Sequence, residues 1–206
     1  MRFVSHALCL ATLLCSLPPC FAQTVRDYRT NPKFRSAISD GKLLARNQEY
    51  ELAIAAYQEA SDIAGGKDKG CLRALIDLQI KSRSYDDAID TAHAFGVIAT
   101  TAAERSYAEA SRGRVLFLQA EPESGSKYDP VLLHDADTAL KAAISLDPQN
   151  GSALLKDGEV LVHLGQIEAA RLQFKASLAS IKPDDPSYER TRRFAENPAL
   201  ASTSTR

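Results

Sequence analysis

No tryptophan occurs in the 206 residues, and the only methionine is the first residue. Aromatic side chains make up 7% of the chain, too few to line a cage for a quaternary ammonium ligand. An excess of one charge is also missing. Lys and Arg number 25 against 26 Asp and Glu, a balance that predicts neither a nucleic-acid binder nor a strongly membrane-attracted surface. Ten glycines and nine prolines are ordinary numbers, which excludes a collagen-like or low-complexity chain. Alternating apolar and polar residues, the signature of a half-buried strand, are absent too. What is present is helical periodicity from residue 34 almost to the end.

The one long apolar run, residues 3–17, follows Arg2 and is too short to span a bilayer comfortably. Pro18 and Pro19 break it, and Cys20 and Ala22 put small residues three and one positions before a cut after Ala22. Residues 1–22 therefore read as a signal peptide, which predicts an exported chain, periplasmic or secreted, with no stable membrane insertion once cleaved. An uncleaved anchor is disfavoured by the shortness of the run. A lipid anchor on Cys20 would want a small residue where Pro19 stands. Cleavage removes Cys9, Cys15 and Cys20 and leaves Cys71 alone, so the mature fold has no internal disulfide and must be held by packing. Residues 23–33, with Asn31-Pro32, read as a leader.

The helices repeat. Aligning the stretch that begins at Phe34 with the one that begins at Gly151 puts Gly41 on Gly158, Leu44 on Leu161, Tyr50 on Ile167, Ala53 on Ala170 and Tyr57 on Phe174. Each stretch is one apolar-striped helix, a turn and a second such helix, about 34 residues in all. Small residues recur where two antiparallel helices must approach closely, and a bulky neighbour fills the space alongside. Gly41, Ala53 and Ala60 are the small residues of the first unit, with Leu44 and Tyr57 large; Gly158 and Ala170 match Leu161 and Phe174 in the last, where Ser177 replaces the third small residue. On these positions the chain resembles the tetratricopeptide repeat (TPR) family. The resemblance implies an all-α, right-handed solenoid of about four antiparallel helix pairs plus a short C-terminal capping helix.

The units fall at about 34–67, 69–102, 106–150 and 151–184. The second aligns Tyr85, Ala88 and Ala92 with the first but carries Ile76 and Phe95 where small residues are expected. The third has Gly113 and Leu116 in register and an insertion near 120–129. Gly65-Gly66, Asp147-Pro148 and Lys182-Pro183 end second helices. Residues 186–196 suggest a cap with Tyr188 and Phe194 facing the last unit, as an array's exposed apolar end requires. The Ser/Thr-rich residues 197–206 read as a disordered tail.

Reaction chemistry is hard to find. His93, His134 and His163 lie in different units, and none has a second His four residues on. His134 and Asp137 share a helix face without Asp135, so a metal site there lacks ligands, and an acidic first turn already has a use against the helix dipole. Cys71 reads as a small packed residue rather than a reactive thiol, although an intermolecular disulfide is open to it in an oxidising compartment. No CxxC, nucleophile elbow or phosphate-cradling loop occurs; Gly65-Gly66-Lys67 lacks the strand that should precede one. The reading is a non-catalytic chain with no cofactor and no metal.

What the TPR resemblance implies instead is a groove lined by the first helix of each unit. Carried over position by position, it gives Arg35, Lys42 and Arg46, then Arg73 and Lys81, then Tyr107, Arg114 and Phe117, with Phe117 and Leu118 exposed. The first three helices put six cations on that face against Asp77 alone. Such a stripe suits a protein or peptide partner, through an acidic segment or a chain-end carboxylate. It differs from the Lys/Asn carboxylate clamp of chaperone-binding members, because the Asn positions are absent. Two other readings stand beside a peptide-binding scaffold. One is a recognition module for a thioredoxin-like redox system whose catalytic domain lies on another polypeptide. The other is a self-associating envelope protein.

Overall fold

The structure, a computed structural model, describes residues 27–122 and 127–203. The signal segment, residues 23–26 of the leader, the centre of the insertion and residues 204–206 lie outside them. Among the described residues there are nine α-helices and no strand. They are α1 (Pro32–Arg46), α2 (Tyr50–Ile63), α3 (Lys69–Lys81), α4 (Tyr85–Ile98), α5 (Ala102–Gln119), α6 (Pro130–Leu146), α7 (Gly151–His163), α8 (Ile167–Ser180) and α9 (Tyr188–Glu196). Consecutive helices pack on each other in order, from α1 on α2 to α8 on α9.

Side-chain caps fix where most first helices begin. Asn31 accepts from the Lys33 N–H with Pro32 in the first turn, Asp68 from the Cys71 N–H, and Asn150 from the Ala153 N–H. A capping box, Thr101 with Glu104, starts α5 at Ala102 rather than near Ser106, because both orphan donors of the first turn are then satisfied. The Lys69 ammonium, 2.7 Å away, is the main reason the Glu104 carboxyl is held down at about 2.

Turns between paired helices repeat as faithfully as the helices. The N–H groups of Glu49, Ser84 and Gln166 reach back to the carbonyls of Leu44, Gln79 and Leu161 at 2.8–2.9 Å. In each case the preceding residue is left-handed: Gln48 at φ 64°, Arg83 at 62° and Gly165 at 75°. That is the Schellman arrangement, which glycine adopts without a Cβ penalty. Gln48→Gly is therefore expected to raise stability by about 1 kcal/mol, seen as roughly 2–4 °C in a thermal melt.

Between the helices the small-against-large rule holds in space. A Cβ placed on Gly41 would lie 2.8 Å from the Tyr57 ring, on Gly113 2.6 Å from Leu140, and on Gly158 2.4 Å from Phe174. Ile76 and Phe95, the departures in the second unit, are both buried in the core. The departure at Ser177 has its own use, since its hydroxyl donates to the Gly151 carbonyl at 2.7 Å. Buried apolar residues form three clusters along the array: one from α1 to α5, one centred on α5, α6 and α7, and one on α7, α8 and α9.

Both ends are closed. A 3-10 turn, Tyr28–Thr30, sits at the amino-terminal end, where the Tyr28 hydroxyl donates to Asp68 at 2.9 Å. At the other end Phe194 packs on Phe174 with ring centroids 5.3 Å apart. The expectation of a disordered tail from residue 197 needs correction. Pro198–Thr203 form a second 3-10 helix against α7, α8 and α9, with Pro198 and Ala201 buried. Their burial offsets the ordering cost that the Ser/Thr-rich composition alone suggested would not be met.

Candidate functional site

First helices of successive units, α1, α3, α5 and α7, present the positions assigned to the groove. Across α3 and α5 those positions meet. The Arg73 guanidinium lies 4.6 Å from the centre of the Tyr107 ring and 5.3 Å from that of Phe95, and the two rings are 5.0 Å apart. Cation–π attraction thus holds a long, exposed side chain in one place. One turn further along, Arg114 pairs with Asp77 at 3.3 Å; both are well exposed, so the pair contributes little to stability. Lys81 hangs over the Tyr50 ring at 5.6 Å.

The remaining cations belong to α1. Arg35 donates to the Thr30 carbonyl at 3.4 Å. Lys42 and Arg46, one turn apart and exposed, have no ion pair among the described residues, and neither do Arg73 and Lys81. Asp77 is the acid the sequence placed among them, and Arg114 takes it. Four cations are thus left for something else.

Phe117 does not belong to this open surface. It was expected to be exposed, yet it is 1% exposed. Tyr128, from the α5–α6 connection, stacks on it with centroids 5.7 Å apart, and His163 of α7 tilts against both rings. The Lys156 ammonium covers another side at 5.4 Å. Helix periodicity gave the right face, but a cover supplied by an inserted loop leaves no trace in that periodicity. Leu118 is half-buried.

The matching positions of α7 are Ser152, Leu155, Glu159, Val162 and His163; Leu155, Glu159 and Val162 are buried, His163 is half-buried and Ser152 is exposed. Glu159 bonds Lys156 on one oxygen and Arg190 of α9 on the other, while Leu155 and Val162 share a cluster with Ala201 of the carboxy-terminal 3-10 helix. Burial lowers the pKa of His163 and leaves its Nε2 without a hydrogen-bond partner, which favours the neutral ring.

Outside the groove, Cys71 is fully buried beside Asp68, and burial pushes its thiol up to about 12. It is neither a nucleophile nor within reach of another chain's thiol. His134 is exposed while Asp137 points inward to Lys141, so the two do not converge. Among the described residues no three His, Cys, Asp or Glu side chains gather as metal ligands, and no helix is long and apolar enough to cross a membrane. A second concavity of about 470 Å³ lies between α4 and α6 over α5, lined by His93, Val97, Arg105 and Arg112 among others. Glu109 engages Arg112 there through both Nε and Nη2.

Several solved structures share this architecture. A structure of the protein MamA is 20% identical, covering 83% of each chain with a TM-score of 0.59, and a second MamA structure is 23% identical over 79% of this chain and 82% of that one, at 0.56. A thermophilic TPR protein of Thermus thermophilus is 20% identical over 81% and 84%, at 0.60. No protein-family model matches the chain, and no curated protein matches it in sequence. At these identities the likeness establishes the fold, a TPR-like α-solenoid.

Proposed function

We propose that this chain is a non-catalytic scaffold that holds a protein or peptide partner against the concave face of α1, α3 and α5. The observation that carries the reading is the set of exposed cations with no counter-charge among the described residues, Lys42, Arg46, Arg73 and Lys81. Arg73 is already held in place by Tyr107, so less of its freedom remains to be lost on binding. An acidic segment, or the carboxylate at a chain end, fits that face through charge-assisted hydrogen bonds. The signal-like residues 1–22 support export, with the groove acting in the periplasm or outside the cell. Cys71, buried with a raised pKa, speaks against thiol chemistry carried by this polypeptide.

The test uses the chain from residue 23 onward and a labelled acidic peptide with a free carboxyl end. The Arg46→Glu, Arg73→Glu double variant is expected to bind at least tenfold more weakly, about 1.4 kcal/mol or more. Binding by the unaltered chain should also weaken as salt rises past about 0.1 M, where the screening length is about 10 Å. Circular dichroism checks that the variant stays helical. Equal binding by the two chains would remove the groove from the explanation.

A further inference from the structure

In three units the second helix sets a bulky side chain against the small residue of the first: Tyr57 on Gly41, Leu140 on Gly113 and Phe174 on Gly158. The second unit exchanges the sizes. Ile76 stands in the glycine position and Ala92 in that of the bulky residue, and both are buried. One turn after Ala92 comes Gly96, in the register held by Ser61 in α2, Ile144 in α6 and Leu178 in α8. Residues four apart share a helix face, so α4 offers two small side chains where the other second helices carry larger ones. Both line the concavity of about 470 Å³ between α4 and α6.

Ala108 of α5 and Leu146 of α6 complete an apolar floor and wall, and Val97 at the rim is 72% exposed. Four polar side chains line the same space: His93, Arg105, Glu109 and Arg112. Glu109 takes Arg112 at 2.9 Å. Arg105 is exposed and makes no ion pair among the described residues. One surplus cation therefore stands over an apolar hollow. A single negative charge on an apolar body balances it, whereas a dianion would keep one charge uncompensated.

The size is that of a small-ligand site, which runs from about 300 to 1,000 Å³. Helices form the walls, and their backbone groups are already bonded within each helix. The backbone of an entering peptide would lose water there and find few replacements, at a cost that an alkyl chain does not meet.

We propose that the hollow between α4, α5 and α6 binds a medium-chain aliphatic carboxylate. Its head group takes charge-assisted hydrogen bonds from Arg105, and its chain lies over Ala92, Gly96 and Ala108 beside Val97 and Leu146. Arg105, Ala108 and Arg112 follow one face of α5, and Tyr107 and Arg114 follow another. The site is therefore separate from the cationic groove.

The experiment titrates the chain from residue 23 onward with octanoate, followed by calorimetry. Saturable binding is expected, about tenfold weaker for hexanoate, which has two fewer methylenes to bury. Octylammonium, with the same chain and the opposite charge, should bind at least tenfold more weakly than octanoate. Arg105→Gln should weaken octanoate about tenfold and Arg105→Lys much less. Gly96→Leu, which places in α4 the residue that α8 already carries, should abolish binding by filling the space. Octylammonium binding as tightly as octanoate, or Arg105→Gln binding like the parent, overturns the proposal. So does a peptide ending in leucine that displaces octanoate and binds more tightly, since the site would then belong to chain ends. Should Gly96→Leu not fold, the exposed Arg105 variants and the two head groups still decide the matter. The Arg46→Glu, Arg73→Glu chain should bind octanoate as the parent does, so failure here and failure of the acidic-peptide groove are read separately.

Discussion

Replacing Phe174 by alanine is expected to destabilise the fold by about 3–5 kcal/mol, lowering the melting temperature by roughly ten degrees. The ring is fully buried, and it lies directly over the backbone of Gly158, where an added Cβ would stand 2.4 Å away. The same contact makes the sign of a second change depend on the first. Gly158→Ala in the parent should cost about 1–3 kcal/mol by overpacking, because a ring held between α7, α8 and Phe194 has nowhere to go. In the Phe174→Ala background the obstruction is gone. Gly158→Ala should there be neutral or favourable, by up to about 1 kcal/mol of helix propensity. Urea unfolding of the four chains reads the cycle, and simple additivity would contradict the close-packing account of the repeat.

At pH 8, Asp157→Asn should be more stable than the parent by roughly 4 kcal/mol. Asp157 is fully buried, with Asp137 and Lys141 of α6 on one side and Gln173 of α8 on the other. Burial, and then the neighbouring Asp137 carboxylate, push it up to about 7, with Lys141 and Gln173 opposing. In the unfolded chain it ionises near 4. Between these values the folded state keeps a proton that the unfolded state has lost, so stability is highest at the acid end and falls as pH rises through 7. Asparagine cannot ionise and offers an N–H beside the unsatisfied Asp137 Oδ1. The variant's unfolding free energy should stay nearly level from pH 5 to 8 where the parent's declines. Parallel declines in the two chains would mean that this carboxyl is not the titrating group.

How far the sequence carried depends on how local each feature is. Gly41 with Tyr57 and Gly158 with Phe174 are pairs within one unit, and their contacts follow from helix geometry and a short turn. The cations of α1 and α3 are likewise positions on a helix face, and they emerge exposed. Features that depend on a distant segment did not show. Phe117 has the right register for the groove, but its cover, Tyr128, arrives from a loop. The segment 198–203 has a tail-like composition, and only the surfaces of α7, α8 and α9 give Pro198 and Ala201 somewhere to go. Gln48 and Arg83 occupy the left-handed turn position where Gly165 stands in the last unit. Nothing in a glutamine or an arginine advertises that conformation, since the rest of the turn imposes it.

The division of the core into three clusters has a consequence for persistence. In a stack where each helix pair leans mainly on its neighbours, the far end can open and close without the near end following. The cationic surface is built almost wholly on the first cluster, which runs from α1 into α5. Amide hydrogens of α8 and α9 should therefore exchange well before those of α3, and a guest resting on α1 and α3 would feel little of that distant breathing. Its residence time would then be set by the amino-terminal cluster alone.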